Sequence, residues 1–133
     1  MVYEGGCFCG AVRYRAQSAP GVVTHCHCLH CRRTSGAAFV TWAEFPFSEF
    51  SFIKGRPVFF SSREGVTRSF CQACGTPLTY RNAGTSDRID VTACSLDEPS
   101  AVSPRDHVYY RRKLGWVHLS DGLPVYGAGR NEP

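Results

Sequence analysis

Cysteine spacing constrains this chain more than any other feature of its sequence. Seven of the eight cysteines fall into three short groups, at residues 7–9, 26–31 and 71–74. Structural zinc takes four ligands in a tetrahedron, commonly from short pairs of this kind. Disulfides are the other use of clustered cysteines, and they belong mainly to secreted proteins. The grouping therefore predicts that most of these cysteines bind metal.

The first and last groups make a natural pair. Cys7 and Cys9 are followed directly by a glycine, as are Cys71 and Cys74. A glycine at this point lets the backbone turn its amides toward the thiolates. The four thiolates together predict a closed structural zinc site that joins two distant parts of the chain.

The middle group supplies three thiolates, from Cys26, Cys28 and Cys31. Three protein ligands with one open position are typical of a catalytic zinc, whose fourth position takes water or substrate. Alternatively, a fourth protein ligand closes the site, and the available candidates are His25, His27, His30 and Cys94. The following pair, Arg32 and Arg33, could offset the negative charge of the thiolates or could simply be solvated.

Composition excludes several classes of protein. No apolar run approaches the ~20 residues of a membrane helix, and the N-terminus has no secretory pattern, so we expect a cytoplasmic protein with reduced cysteines. The formal charge is +4, with thirteen of the fifteen basic residues arginine. These arginines are scattered along the chain, which makes a nucleic-acid partner unlikely on sequence grounds.

The remaining pattern predicts an all-β domain. Short alternating segments are separated by Gly, Pro, Ser and Asn, and one of them places Val12 and Tyr14 on a single face. Nine strands are predicted, at 11–16, 22–25, 38–42, 49–53, 57–60, 66–70, 77–80, 88–92 and 108–111. The best helical candidate is the short segment 30–35. We expect one domain over residues 1–127 and a frayed tail over 128–133.

Several motifs occur together in a specific order. They are GCFCG at 6–10, CHC at 26–28, FCQACGTPL at 70–78, SLDEP at 95–99 and DGLPVY at 121–126. With them the chain resembles, from about residue 3 to 126, the glutathione-dependent formaldehyde-activating enzyme family, which includes centromere protein V. The resemblance implies a β-tent fold of small antiparallel sheets held by zinc. It also implies a structural zinc on the outer four cysteines and a second zinc on the middle three. A site with three ligands can lose its metal more readily than a closed one.

The activity implied by this resemblance is that of a carbon–sulfur lyase. Formaldehyde is joined reversibly to glutathione, the co-substrate, to give S-(hydroxymethyl)glutathione. A thiol could take the open zinc position and attack the aldehyde carbon, with a proton supplied by His27, His107 or His30. Arg32, Arg33 and Trp116 are candidates for binding the thiol substrate.

Three alternatives stay open at this point. Cys94 stands where similar sequences more often have Gly or Ala, and it is either a small buried hydrophobe or a fourth ligand of the second zinc. The enzyme could instead act on another thiol adduct. The domain could also be a non-catalytic, zinc-stabilised binding module, which a steeply salt-dependent DNA affinity would favour.

Overall fold

Residues 1–130, the part of the chain that the computed structural model describes, contain ten strands and one α-helix. The strands are β1 Tyr3–Gly6, β2 Arg13–Ala16, β3 Val23–Cys26, β4 Val40–Pro46, β5 Phe50–Lys54, β6 Val58–Arg63, β7 Val66–Phe70, β8 Pro77–Asn82, β9 Arg88–Thr92 and β10 Asp106–Val108. The helix, α1, is Leu29–Ser35. Single 3-10 turns form at Phe47–Glu49, Ala93–Ser95, Pro99–Ala101 and Tyr110–Arg112.

The strands form two sheets. The smaller has the order β1-β2-β5, and the larger has the order β10-β3-β4-β9-β8-β7-β6. All neighbouring pairs are antiparallel except β10 and β3, which are parallel. The prediction of a mostly β fold is confirmed.

Strand β4 illustrates how the large sheet uses its two faces. Ala43 and Phe45 belong to the main core, which also takes side chains from the smaller sheet. Val40 and Trp42 point to the opposite face, because side chains alternate along a strand, and pack in a second core beside α1. The same alternation buries Val12 and Tyr14 together, as their spacing predicts.

Several predicted strand bounds shift by a few residues, as for β4, predicted at 38–42 and observed at Val40–Pro46, and two local predictions differ more fundamentally. The strand β1 lies in a segment for which the sequence pattern predicts none. The strand predicted at 108–111 ends at Val108, because Tyr109 takes a left-handed backbone conformation, with φ of 53°, and a 3-10 turn follows.

The prediction of a frayed tail is wrong for residues 128–130. Ala128 is buried, and Arg130 donates hydrogen bonds to both carboxylate oxygens of buried Asp106. A charged hydrogen-bonded pair of this kind holds the segment against β10. Residues 131–133 of the predicted tail lie outside the described residues. Within residues 1–130, no helix is long and apolar enough to cross a membrane.

Candidate functional site

The four outer cysteines meet where two turns of the chain face each other. Cys7 and Cys9 follow β1, whereas Cys71 and Cys74 lie between β7 and β8. The four sulfur atoms all lie within 4.8 Å of one another. The Sγ atom of Cys9 lies 3.6 Å from the Sγ atom of Cys7 and 3.8 Å from the Sγ atom of Cys71. Tetrahedral zinc with bonds of about 2.3 Å separates its sulfur ligands by about 3.8 Å. The arrangement therefore fits a zinc ion.

Both turns have the same local design. Gly10 and Gly75 take positive φ values of 80° and 81°, a region that glycine enters without steric cost. The Gly75 amide then donates to the carbonyl of Cys71, over 2.8 Å. All eight cysteines of the chain are free, which excludes disulfides in this arrangement.

Hydrogen bonds favour a thiolate at Cys74, one member of this cluster. The Thr76 hydroxyl lies 3.2 Å from the Sγ of Cys74. Hydrogen bonds from the Thr76 side chain and then from its backbone amide lower the pKa of the Cys74 thiol to about 5. A thiol that ionises this readily is prepared to bind a cation.

The three middle cysteines converge at the start of α1. Cys26 ends β3, Cys28 caps the helix by accepting a hydrogen bond from the Cys31 amide over 3.3 Å, and Cys31 lies buried in the first turn. Their three sulfur atoms all lie within 4.8 Å of one another. Within residues 1–130, no fourth cysteine, histidine or carboxylate joins this group.

Ionisation is unevenly shared among these three thiols. Hydrogen bonds from Cys26 and then Cys31 hold the pKa of the Cys28 thiol far below its usual range, and the charge of Arg68 adds to this effect. The pKa of Cys26 is raised, because its proton is held between the other two sulfur atoms and its burial disfavours a charge. The cluster therefore carries a thiolate at neutral pH, a donor that zinc prefers.

A cavity of about 630 Å³ opens in front of this cluster. It lies on the face of the large sheet that carries Trp42, opposite the main core. Besides the three cysteines, its wall includes four arginines, three aromatic side chains and one carboxylate: Arg63, Arg68, Arg111, Arg112, Trp42, Tyr80, Tyr109 and Asp90. The cavity is large enough for a peptide-sized ligand and favours anionic groups.

Arg68 is the cavity arginine that touches the cysteines. Its guanidinium lies 3.9 Å from the Sγ of Cys31 and 4.9 Å from the ring centroid of Tyr80. It also donates to the hydroxyls of Thr34 and Ser62, each over 3.2 Å. These contacts place a fixed positive charge beside the thiolates. The sequence offered one signal for this residue, an arginine at a core-facing position in the alternation of β7.

Two of the three histidines predicted to supply a proton do not line the cavity. His27 and His107 are buried, with 2.9 Å between Nε2 of the first and Nδ1 of the second. His107 Nε2 in turn lies 2.7 Å from a carboxylate oxygen of Asp121. Burial and then the neighbouring His107 lower the pKa of His27 to about 4, so its ring is neutral at pH 7. This chain of contacts anchors the segment between Cys26 and Cys28 from behind.

The other predicted substrate residues also lie elsewhere. Arg32, Arg33 and Trp116 are not among the residues that line the cavity, and Trp116 is 70% exposed. His30 does line it, and so does Trp42. The arginines that line the cavity come instead from β6, β7 and the turn after β10.

Both readings of Cys94 are wrong. The side chain is exposed, which excludes a buried hydrophobe. It lies in the 3-10 turn after β9 and lines a different depression, together with Cys7 and Phe8. It does not join the three-cysteine group, so it does not close that site.

Comparison with known proteins agrees with this geometry. The family model for the glutathione-dependent formaldehyde-activating enzyme matches residues 2–112. The chain belongs to that family. The match covers both cysteine clusters, so the family's name applies to the part of the chain that carries the candidate metal centres.

Individual relatives share roughly a fifth to a third of their aligned residues with this chain. A Halomonas elongata protein named "Putative glutathione-dependent formaldehyde-activating enzyme" is 27% identical over 128 residues, which is 90% of this chain and 82% of that protein. An "Uncharacterized lyase" of Schizosaccharomyces pombe is 31% identical over 85 residues, covering 59% of this chain and 56% of that protein. A crystal structure of a Rhodobacter sphaeroides protein shares the fold, with a TM-score of 0.60 at 20% identity, over 92% of this chain and 98% of that one.

Proposed function

We propose that this protein is a zinc-dependent carbon–sulfur lyase that reversibly joins formaldehyde to the thiol of glutathione. The observation that carries the proposal is the cluster of Cys26, Cys28 and Cys31, which lacks a fourth ligand within residues 1–130 and faces a cavity rich in arginine. Membership of the family supports the same reaction class. We place the protein in the cytoplasm, where thiols stay reduced.

The reaction forms two bonds, C–S and O–H, and breaks two, S–H and the π bond of C=O. The thiol sulfur bonds to the carbonyl carbon, the π-electron pair of the C=O bond moves to oxygen, and the thiol proton ends on that oxygen. The product is S-(hydroxymethyl)glutathione, and the reverse direction releases formaldehyde. Zinc held by the three thiolates would lower the pKa of an added thiol, so that more of it reacts as the thiolate.

The residues of the chain supply binding and charge. Arg68 offsets the negative charge of the cysteine cluster through its contact with Cys31. Arg63, Arg111 and Arg112 also line the cavity, and we assign them the two carboxylates of glutathione. They take the role that the sequence pattern suggested for Arg32, Arg33 and Trp116.

The test combines metal analysis with kinetics. We expect two zinc ions per chain and a faster loss of free glutathione with formaldehyde than in buffer. Cys28→Ser should reduce the zinc to one ion and abolish the acceleration. The matched control, Cys94→Ser, removes an exposed cysteine outside the cavity and should change neither quantity.

Two results would contradict the proposal. One is a protein with both zinc ions that does not accelerate the reaction at all. The other is a Cys28→Ser variant that keeps the full metal content and rate of the unchanged protein.

A further inference from the structure

Three carboxylates lie on the cavity face of the large sheet or at its edge, and two of them are already paired. Glu44 accepts a hydrogen bond from Arg88 over 3.1 Å. Asp106 accepts hydrogen bonds from Arg130, and Thr24 donates to it as well. The carboxylate of Asp90 has no hydrogen-bond or ion-pair partner within residues 1–130.

Asp90 nevertheless stands in an enclosed position. It lies in β9 between Glu44 of β4 and Tyr80 of β8, and it is the one acidic residue among the described residues that line the cavity. Burial and then repulsion from Glu44 raise the pKa of Asp90 to about 7, although Arg88 and Arg130 partly oppose this. An unpaired, partly buried carboxylate of this kind is stabilised by any cation that enters the cavity.

We propose that Asp90 binds the α-ammonium group of the γ-glutamyl residue of glutathione and thereby selects glutathione over thiols that lack an amino group at this end. This inference rests on the proposed function for the identity of the thiol. It divides the cavity by charge: arginines hold the two carboxylates, and Asp90 holds the ammonium group.

Length is consistent with this assignment. Cys26 pairs with Val40 of β4, whereas Asp90 pairs with Glu44, four residues farther along the same strand. Strand geometry puts the Cα atoms of Cys26 and Asp90 roughly 16 Å apart, from about 13 Å along β4 and about 10 Å across two strand spacings. In glutathione the thiol belongs to the central cysteine, and eight bonds separate its sulfur from the α-amino nitrogen of the γ-glutamyl residue, which is roughly 10 Å when extended. A bond from this sulfur to a metal and one from the ammonium group to a carboxylate would add about 5 Å more.

The same comparison excludes small thiols as full occupants. Cysteine or a two-carbon thiol anchored at the cysteine cluster would end well short of Asp90. Because glutamate is linked to cysteine through its γ-carboxyl group, its α-ammonium group stands at the far end of this arm from the thiol. An unpaired carboxylate such as Asp90 can reach it there.

The experiment compares glutathione with glutaryl-cysteinylglycine, which differs only in lacking the α-amino group. Dissociation constants of both thiols are measured by calorimetry on the zinc-loaded protein, and kcat/KM is measured with formaldehyde. We expect Asp90→Asn to weaken glutathione binding by about tenfold or more, as for loss of a hydrogen bond to a charged group. Binding of glutaryl-cysteinylglycine should change by less than about twofold.

A matched control is available three residues away. Asp87 is exposed and does not line the cavity, so Asp87→Asn removes the same charge without touching the ligand. It should leave both dissociation constants within about twofold of the original values, which excludes a general effect of net charge.

The outcomes separate this inference from the proposed reaction. Equal losses for both thiols in Asp90→Asn, or equal affinity of the unchanged protein for both, would overturn the assignment of Asp90. Discrimination between the thiols with no turnover of either would contradict the proposed reaction and support the role of Asp90. If Asp90→Asn does not fold, the ratio of the two affinities in the unchanged protein decides the question.

Discussion

Arg68 gives the sharpest test of how the protein supports its second metal site. We predict that Arg68→Met, which keeps an unbranched side chain and removes the charge, weakens zinc binding at the three-cysteine cluster by about 10- to 100-fold. The guanidinium lies 3.9 Å from the Sγ of Cys31. Unit charges about 4 Å apart interact with about 4 kcal/mol at an effective dielectric constant near 20.

Only part of that energy is lost in the variant. Solvent and local rearrangement replace some of the lost interaction, which leaves roughly 1.4–2.8 kcal/mol and gives the stated change in affinity. The fold should weaken by about 2 kcal/mol, because the contact with the ring of Tyr80 and two hydrogen bonds to hydroxyl groups disappear. Methionine keeps the apolar packing, so the variant should still fold.

The assay is a competition titration of the zinc-loaded protein with a chromophoric chelator, which resolves the two sites. The four-cysteine site serves as an internal control and should keep its affinity. Arg63→Met is the matched variant, because Arg63 is exposed and lines the cavity, and its guanidinium forms no hydrogen bond with a cysteine within residues 1–130. An Arg68→Met protein with unchanged zinc affinity at the three-cysteine cluster would refute the electrostatic reasoning.

Two further predictions concern stability. Arg130→Met should lower the free energy of unfolding by about 3 kcal/mol at pH 7, because it leaves the carboxylate of Asp106 buried without its main partner. Burial raises the pKa of Asp106, but Arg130 and Thr24 outweigh it and the net shift is downward, so this stabilisation is present above the unfolded pKa near 4 and is lost as the pH falls from there through the lowered folded-state pKa. Urea unfolding at pH 7 and pH 3 measures the difference in unfolding free energy between the variant and the unchanged protein. An equal difference at both pH values would contradict the proposed pH dependence. Cys71→Ser should abolish cooperative thermal unfolding, since a structural zinc contributes about 10–16 kcal/mol against a net stability of 5–15 kcal/mol; Cys94→Ser is the control, and a normal melting curve for Cys71→Ser would contradict a structural role.

The local features of the fold could be predicted because they depend on neighbouring residues. Alternation placed Val12 and Tyr14 on one buried face, and the segment after Cys28 formed the short helix. A glycine after each outer cysteine pair predicted the sharp turns that present the sulfur atoms. The prediction of a frayed tail is wrong for residues 128–130, because their composition gives no sign of the ion pair between Arg130 and Asp106.

Candidate substrate residues could not be predicted in the same way. Arg32 and Arg33 adjoin the second cluster in sequence, yet the arginine at its sulfur atoms is Arg68, which lies 37 residues from Cys31. His27 lies between two cysteines in sequence, but its ring points away from the cavity to contact His107. Adjacent residues on an extended segment face opposite sides, so closeness in sequence is a poor guide to closeness in the site.

The sequence by itself determined the two cysteine clusters, the β-rich fold and the family, because metal-binding spacing and strand alternation are short-range properties. Only the tertiary structure decided what surrounds the clusters. Strand order and register bring Arg68 to Cys31 and align Asp90 with Glu44 across β4 and β9. These pairings arise from hydrogen bonding between strands that are distant in sequence, and one step of register would turn each side chain to the other face of the sheet.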